Sequence, residues 1–445
     1  MTYTSLTMRR STGSKQMDPT DVRTVPVEAH IGSPHDYILR HQFELDALHR
    51  AGRLEECAPS LFERIADERA IYFGIDETRS RNPAPGPDLV MLDTIPETDL
   101  WRWARESRDA IRDGHYQPER PRTVKIPKPN GSSREIHVFN HMDSAVQRAI
   151  LGILNPAVDP TFHEMSHGGR PGRDARSARK QLITRHRETN SRFLIVEDLV
   201  GAFDHVPINR LLQIVGKRIP CGNLINLLGT IIHAQPRVRK TRGISQGAAL
   251  SPMLLNLYLD FLLDDRIEGN PDSETAIRYI DDMALLCRSE ESAHSAYEVL
   301  DNLIRNAGFT PKYGPVKAIH DLTRKPARWL GHVLSIENGL LRFHMTEEAW
   351  FRLEDKLLQC AKEGEHQQLA EMVTRNWLND TVAMGHDKVR PICARIQQLM
   401  RTHSFSPTPI SRLEEWSEEA IARWEDYLSS HAQPGSSCVE DSPCA

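Results

Sequence analysis

The sequence predicts a mixed helix-and-strand chain of the α+β class, and three observations predict it. Short apolar runs of strand length, rich in β-branched residues, recur at 193–199, 278–287 and 328–334. Between them lie longer segments with apolar residues at helical spacing, such as Leu100, Trp103, Ala104 and Ile111. The 445 residues also exceed what one small core holds, so two or three lobes are expected.

In chain order, residues 1–35 are polar with Pro and Ser and read as loosely ordered. Tyr37 to about Ala70 reads as helical through Leu39, Phe43, Leu45, Leu48, Leu54, Leu61 and Ile65. A Pro-rich linker covers 80–87, and Pro96 opens a helix over 97–112. Thr123–Asn130 and Arg134–Val138 are two strands joined by a Pro-Asn-Gly turn, with Lys125, Lys128 and Arg134 along the hairpin. Helices are expected over 142–154 and, after the Gly-rich stretch Ser166–Arg173, in a basic segment from Ala175. That stretch lacks the Gly-Lys-Ser/Thr of a P-loop, yet Arg170 and Arg173 have the chemistry to pair with phosphate. Later helices are expected near Leu211, over 252–261, over 293–307, from an N-cap at Thr346, and over 389–401 and 409–428. Trp416 and Trp424 in the last of these read as core, and residues 431–445 as a disordered tail.

Net charge is only −5, but residues 120–192 hold 14 Lys/Arg against 6 Asp/Glu, and Arg237–Arg242 adds a second basic knot. A basic face within an acidic chain suggests a localised polyanion groove, though a solvated mixed surface fits the same counts. No run reaches the ~20 apolar residues of a membrane span, and the N-terminus lacks a signal-peptide core. The seven cysteines form no CxxC pair, as expected of reduced thiols in a cytoplasmic protein.

The chemistry concentrates in Tyr279-Ile280-Asp281-Asp282, where adjacent carboxylates interrupt an apolar hairpin. A divalent cation would offset that charge, since magnesium takes carboxylate and phosphate oxygens. Taken alone the pair is a weak signal, and a solvated turn is the better reading unless a third carboxylate joins it. Phe193-Leu194-Ile195-Val196-Glu197-Asp198 is a buried-type strand ending on Asp198, which supplies the candidate. Convergence of Asp198, Asp281 and Asp282 would suit two-metal phosphoryl transfer. Gly243–Pro252 forms a turn whose amides start a helix, suited to phosphate or sugar contacts. Asp264-Asp265 reads as a solvated helix end.

Together these stretches, from about Gln117 to Leu341, resemble the bacterial group II intron-like reverse transcriptases. Arg134 with the Ile-Pro-Lys-Pro-Asn-Gly segment resembles the first fingers motif and Ser166–Arg173 the second. Asp198–Asp204 resembles motif A, Gln246-Gly247 with Ser251-Pro252 motif B, and Tyr279–Asp282 the Tyr-x-Asp-Asp turn. Lys317 is similar to the motif D lysine and Trp329-Leu330-Gly331 to the primer grip.

The resemblance implies a right-hand polymerase with fingers, an RRM-like antiparallel palm and a helical thumb. The expected division is an N-terminal extension over 1–96, fingers over 97–192, palm over 193–345 with a fingers insertion at about 207–245, and thumb over 346–430. It implies that Asp198, the Leu199 backbone, Asp281 and Asp282 hold two Mg2+ ions, with Mn2+ able to substitute. Lys125 or Lys128, with Arg134, Gln246, Gly247 and Lys317, would bind the nucleotide. Phe203, at the sugar-gate position, would exclude a 2′-hydroxyl. Arg170, Arg173, Tyr279, Ile280 and Trp329–Gly331 would meet template and primer. Implied partners are an RNA template, a DNA or RNA primer, dNTPs and a dedicated structured non-coding RNA, with no membrane.

Two departures stand out: Gly169 where the family usually has Phe, and Ile280 where intron-encoded members usually have Ala. The Ile resembles a free-standing branch associated with DNA repair synthesis as well as copying RNA, and the expected setting is antiviral defence, DNA repair or an orphaned element. With no HNH motif after the thumb, retrohoming by this chain alone is not expected. The readings set against polymerisation are a maturase-like RNA-binding protein and a template-independent or protein-primed DNA polymerase.

Overall fold

The computed structural model describes residues 32–429 except 82–83, 128–132, 235–239, 269–274, 363–366 and 383–388. The expected polar N-terminus, the C-terminal tail, Lys128, the Pro-Asn-Gly turn and residues 237–239 of the second basic knot lie outside the described residues.

Helices α1 (Pro34–Arg50), α2 (Ala58–Ile65), α3 (Glu68–Ser80) and α4 (Glu97–Arg112) come first. A Ser33/Asp36 capping box starts α1, satisfying amides that the first turn leaves without partners. Its buried face is Ile38, His41 and Leu45, whereas Leu39 and Phe43 are exposed. Strands β1 (Arg122–Pro127) and β2 (Ser133–Val138) pair antiparallel, and α5 (His141–Val158) follows. The chain continues through β3 (Ser166–His167), α6 (Ala175–Thr189), β4 (Phe193–Glu197), α7 (Ala202–His205), α8 (Ile208–Arg218) and α9 (Gly222–Ile232).

Next come α10 (Ser251–Leu259), a π-helical turn over 260–264 and α11 (Asp265–Ile267), then β5 (Ala276–Tyr279), β6 (Asp282–Cys287) and α12 (Glu290–Asn306). The remainder is α13 (Pro315–Ala318), β7 (Ile319–Asp321), β8 (Ala327–Trp329), β9 (His332–Glu337), β10 (Leu340–Met345), α14 (Glu347–Lys362), α15 (Gln367–Thr381), α16 (Val389–Thr402) and α17 (Ile410–Ser429).

The central sheet has strand order β3-β5-β6-β4-β7, antiparallel except where β3 runs parallel to β5. Both faces are covered, which is why β4 reads as a continuous apolar run rather than an alternating one. Phe193 and Ile195 join a large core with α10 and α12, while Leu194 and Val196 join a second core with α6, Trp329, Phe343 and Trp424. A third core holds α14, α15 and α16 with the first half of α17. This is an α+β architecture, with a mainly antiparallel central sheet and a group of late helices packed on a core of their own.

The first helices do not form a lobe of their own. Their apolar residues share the large core with α5. At the crossing of α3 and α5, a Cβ on Gly74 would stand 2.0 Å from the Ala145 carbonyl oxygen. Among the described residues no helix is long and apolar enough to cross a membrane.

Asp264 departs from its expected place on a solvated helix end. The π-helical turn carries Asp260 and Asp264 inward, where both are fully buried, and Asp264 pairs with the fully buried Arg278. Only Asp265 faces water.

Candidate active site

The pairing of β4 with β6 sets the site. Phe193 lies opposite Cys287 and Glu197 opposite Met283, so the next step of the same register brings Asp198 across from Asp282. β5 pairs with β6 up to Tyr279 opposite Asp282, leaving Ile280 and Asp281 as a two-residue turn. Asp198, Asp281 and Asp282 therefore meet at one end of the sheet, each partly exposed.

The turn is held from outside. Ile280 has φ 55°, a left-handed conformation that β-branched residues seldom adopt. Its N–H donates to the His167 carbonyl at 2.9 Å, and its carbonyl accepts from Arg278 Nη1 at 2.8 Å. Arg278 also donates to Asn256 Oδ1, Ser166 Oγ and Asp264. Gly168 lies directly under the turn: a Cβ there would stand 2.7 Å from Ile280 Cγ1 and 3.0 Å from the Tyr279 ring. Next to it, Gly169 has a positive φ, and a Cβ would stand 2.6 Å from Pro252 Cβ. That contact is a physical reason for the missing phenylalanine.

Burial, then the charge of Asp198, push Asp281 up to about 6. The same causes, with Asp281 added, push Asp282 up to about 7. Lys312 makes an ion pair with Asp198. Burial would lower the Lys312 ammonium, but the hydrogen bond and charge of Asp198 override it and raise its pKa. The Lys312 and Arg134 cations both pull Asp281 and Asp282 back down. Three half-buried carboxylates, of which only Asp198 has an ion-pair partner among the described residues, fit a hard divalent cation that takes oxygen donors and offsets their repulsion.

Among the described residues, the tight cluster with metal-ligand spacing is instead His163, Asp260 and Asp264. Its carboxylates are already paired, Asp260 with Arg218 and His163, and Asp264 with Arg278. It is a buried charge network, fully compensated without an ion.

The nucleotide-side candidates gather around one loop. The His137 N–H donates to the Gln246 carbonyl at 2.7 Å, joining β2 to the loop before α10. Gly247 has φ 97°, and a Cβ there would stand 2.7 Å from the His137 carbonyl oxygen. Gln246 Nε2 donates to Asp204 Oδ2 at 3.3 Å. The carbonyl of half-buried Phe203 accepts from Ile244 N–H at 2.8 Å, so Phe203 and Gln246 share this corner. Lys125 is exposed, 3.5 Å from Glu135 across the hairpin.

Other candidates are placed differently from expectation. Lys317 is exposed on α13, and Lys312, five residues earlier, is the lysine against the carboxylates. Arg170 is buried and uses its guanidinium internally, on Asp159 Oδ1 and the carbonyls of Asp159, His163 and Ser166. Four of its five N–H groups are committed, so it braces the loop under the turn instead of facing nucleic acid. Arg173 donates to the Glu164 carbonyl at 2.8 Å.

Leu330 and Gly331, φ 43° and 77°, form the two-residue turn between β8 and β9. Trp329 before them is buried, and the Gly331 carbonyl accepts from Thr346 Oγ1 at 3.2 Å.

Sequence reasoning missed Glu197, Arg278 and Lys312. Glu197 carries a readable signal, a carboxylate inside an otherwise apolar strand. Arg278 carries a similar one.

Residues 126–334 match the family described as reverse transcriptase (RNA-dependent DNA polymerase). Protein YkfC of Escherichia coli is 35% identical over 161 residues, 34% of this chain and 42% of YkfC. The group II intron-encoded protein LtrA of Lactococcus lactis is 29% identical over 156 residues, 34% of this chain and 26% of LtrA. The chain thus spans less than half the length of these relatives. Apo telomerase from Candida tropicalis superposes with a TM-score of 0.40 at 10% identity, over 54% of this chain and 59% of that one.

Proposed function

We propose, from the premise that residues 126–334 are a reverse transcriptase domain of the group II intron-like kind, that the protein is an RNA-directed DNA polymerase. The observation that carries the reading is the β4–β6 register, which puts Asp198 opposite Asp282 with Asp281 in the adjoining turn. These carboxylates, with the Leu199 backbone, would hold Mg2+. Two such ions, if bound there, would lower the pKa of the attacking 3′-hydroxyl and offset the negative charge on the leaving pyrophosphate.

The remaining work falls to the chain itself. Arg134 and Lys312, whose charges already act on Asp281 and Asp282, supply positive potential for the triphosphate. The ring of Phe203, half-buried at this corner, would leave no room for a ribose 2′-hydroxyl, so deoxynucleotides would be preferred. The strained Ile280 turn and the Leu330-Gly331 turn are the surfaces offered to the primer end. RNA template, primer and dNTPs are the proposed partners. Residues 97–192 are assigned as fingers, 193–345 as palm and 346–430 as thumb.

The test is primer extension on RNA with dNTPs and Mg2+, wild type against Asp281→Ala/Asp282→Ala. Extension that the double variant abolishes is expected. A wild-type protein that binds RNA tightly but adds no nucleotide would sink the reading and favour a maturase-like role. Phe203→Ala should raise ribonucleotide incorporation, and an unchanged preference would remove the sugar-gate assignment.

A further inference from the structure

Adjacent residues on a strand point to opposite faces. At the end of β4, Asp198 turns to the acidic cluster and Glu197 turns inward, where it is fully buried. Among the described residues no Lys, Arg or His lies within ion-pairing distance of the Glu197 carboxylate. Its partners are instead donors from one loop, one helix and the next residue of the chain. Oε1 accepts from the N–H groups of Lys312 and Tyr313, each at 2.9 Å, and from the Asp198 N–H at 2.9 Å. Oε2 accepts from the Gly314 N–H at 3.2 Å and the Tyr297 hydroxyl of α12 at 2.9 Å.

Three successive backbone amides converging on one carboxylate fix the path of 312–314 more tightly than packing would, because hydrogen bonds to an ionised acceptor are the strong ones. The same loop is tied to the strand end at two further points. The Lys312 N–H also reaches the Asp198 carbonyl at 2.9 Å, and the Val200 N–H reaches the Thr310 carbonyl at 3.0 Å. Lys312 is therefore held at both ends by neighbouring residues, its backbone by Glu197 and its ammonium by the Asp198 side chain.

We propose that Glu197 is a positioning residue for nucleotide addition: its buried carboxylate builds the 312–314 loop and so fixes where the Lys312 ammonium stands beside the acidic cluster. The proposal rests on the polymerase reading above. Its specific content is that Glu197 acts through Lys312, whose charge serves the reacting phosphates only from a fixed place.

The test uses the full chain in two assays, amide hydrogen exchange without nucleic acid and single-nucleotide addition. Glu197→Gln keeps the shape but turns an NH2 group toward N–H donors. Exchange at 312–314 should rise about tenfold or more. The kcat should fall on the order of 10- to 100-fold, as for a small misplacement of a reacting group, with the dNTP KM within about threefold. In a Lys312→Ala background the same substitution should cost less than about threefold in kcat, since the residue it positions is gone.

Unchanged exchange, or a kcat loss that multiplies in full on Lys312→Ala, overturns the proposal. Should Glu197→Gln not fold, Tyr297→Phe removes a single bond from the same carboxylate. It should raise exchange at 312–314 and lower kcat by about two- to fivefold. No change in either overturns the proposal. A wild-type protein that adds no nucleotide overturns this proposal and the polymerase reading together, whereas an active wild type with independent Glu197 and Lys312 effects overturns this one alone.

Discussion

Two hairpins in this molecule solve the same geometric problem with opposite residues. The exposed turn between β9 and β10 is Asn338-Gly339, φ 52° and 77°, the side chains that a tight turn with positive φ prefers. The turn between β5 and β6 is Ile280-Asp281, with a β-branched residue at φ 55°. Local backbone preference chose the first pair. The second persists only because Arg278, His167 and Gly168 hold it from outside. Strain is thus kept where three carboxylates must meet and is absent where a loop merely reverses. The Leu330-Gly331 turn falls between the two, with the expected Gly and an unexpected Leu.

Four substitutions or conditions separate the hairpins, and the largest effect belongs to the charged one. Asp281→Ala/Asp282→Ala should lower nucleotide addition by on the order of 10³-fold or more, measured by single-turnover extension. Because it removes repelling carboxylates, it should leave the melting temperature at pH 7 unchanged or higher. A melting temperature that falls would mean the pair stabilises the fold.

Second, Gly168→Ala should cost about 2 kcal/mol in denaturant unfolding and reduce activity, since its Cβ meets Ile280 and the Tyr279 ring. Adding Ile280→Ala clears the nearer contact and should return part of the loss. No recovery would show that the turn does not rest on Gly168.

Third, pH should act on the β5–β6 turn. Asp281 and Asp282, at about 6 and about 7, bind protons more tightly folded than unfolded. Their contribution to the metal-free fold is therefore present at low pH and lost as pH rises from about 4 through 7. Cation binding runs the other way, because the ligands must lose their protons. Mg2+ affinity by calorimetry should rise about tenfold or more from pH 5.5 to 7.5, and Asp282→Asn should flatten the rise. Fourth and smallest, Gly339→Ala should cost about 1 kcal/mol and leave kcat alone, by the same unfolding and extension assays.

Periodicity and turn chemistry made the order of elements readable. Pro96 opens α4 and the run before Asp198 is β4, since local spacing and burial agree in both. Helix α15 is hard to read because its buried face, Ala370, Thr374, Trp377, Leu378 and Thr381, has only two large apolar side chains and makes a weak stripe. Side-chain partnership was the harder level. Arg170 carried the right chemistry for phosphate, but no pattern reveals that Asp159 and three carbonyls claim it. Part of the basic excess over 120–192 is spent in the same way: Arg179 is buried, Arg176 pairs with Asp380 and Lys180 packs on Tyr427. Spacing alone does not separate Lys312 from Lys317. What separates them is which backbone amides Glu197 captures, a contact across more than a hundred residues.

Helix α17 belongs to two interiors at once. Leu413 and Trp416 are packed among α14–α16, while Ala420 and Trp424 lie with Trp329 and Phe343 against the sheet. A continuous rod of twenty residues, about 30 Å long, is a poor hinge. Any movement of the late helices against the sheet must therefore bend α17 or unseat one of its halves.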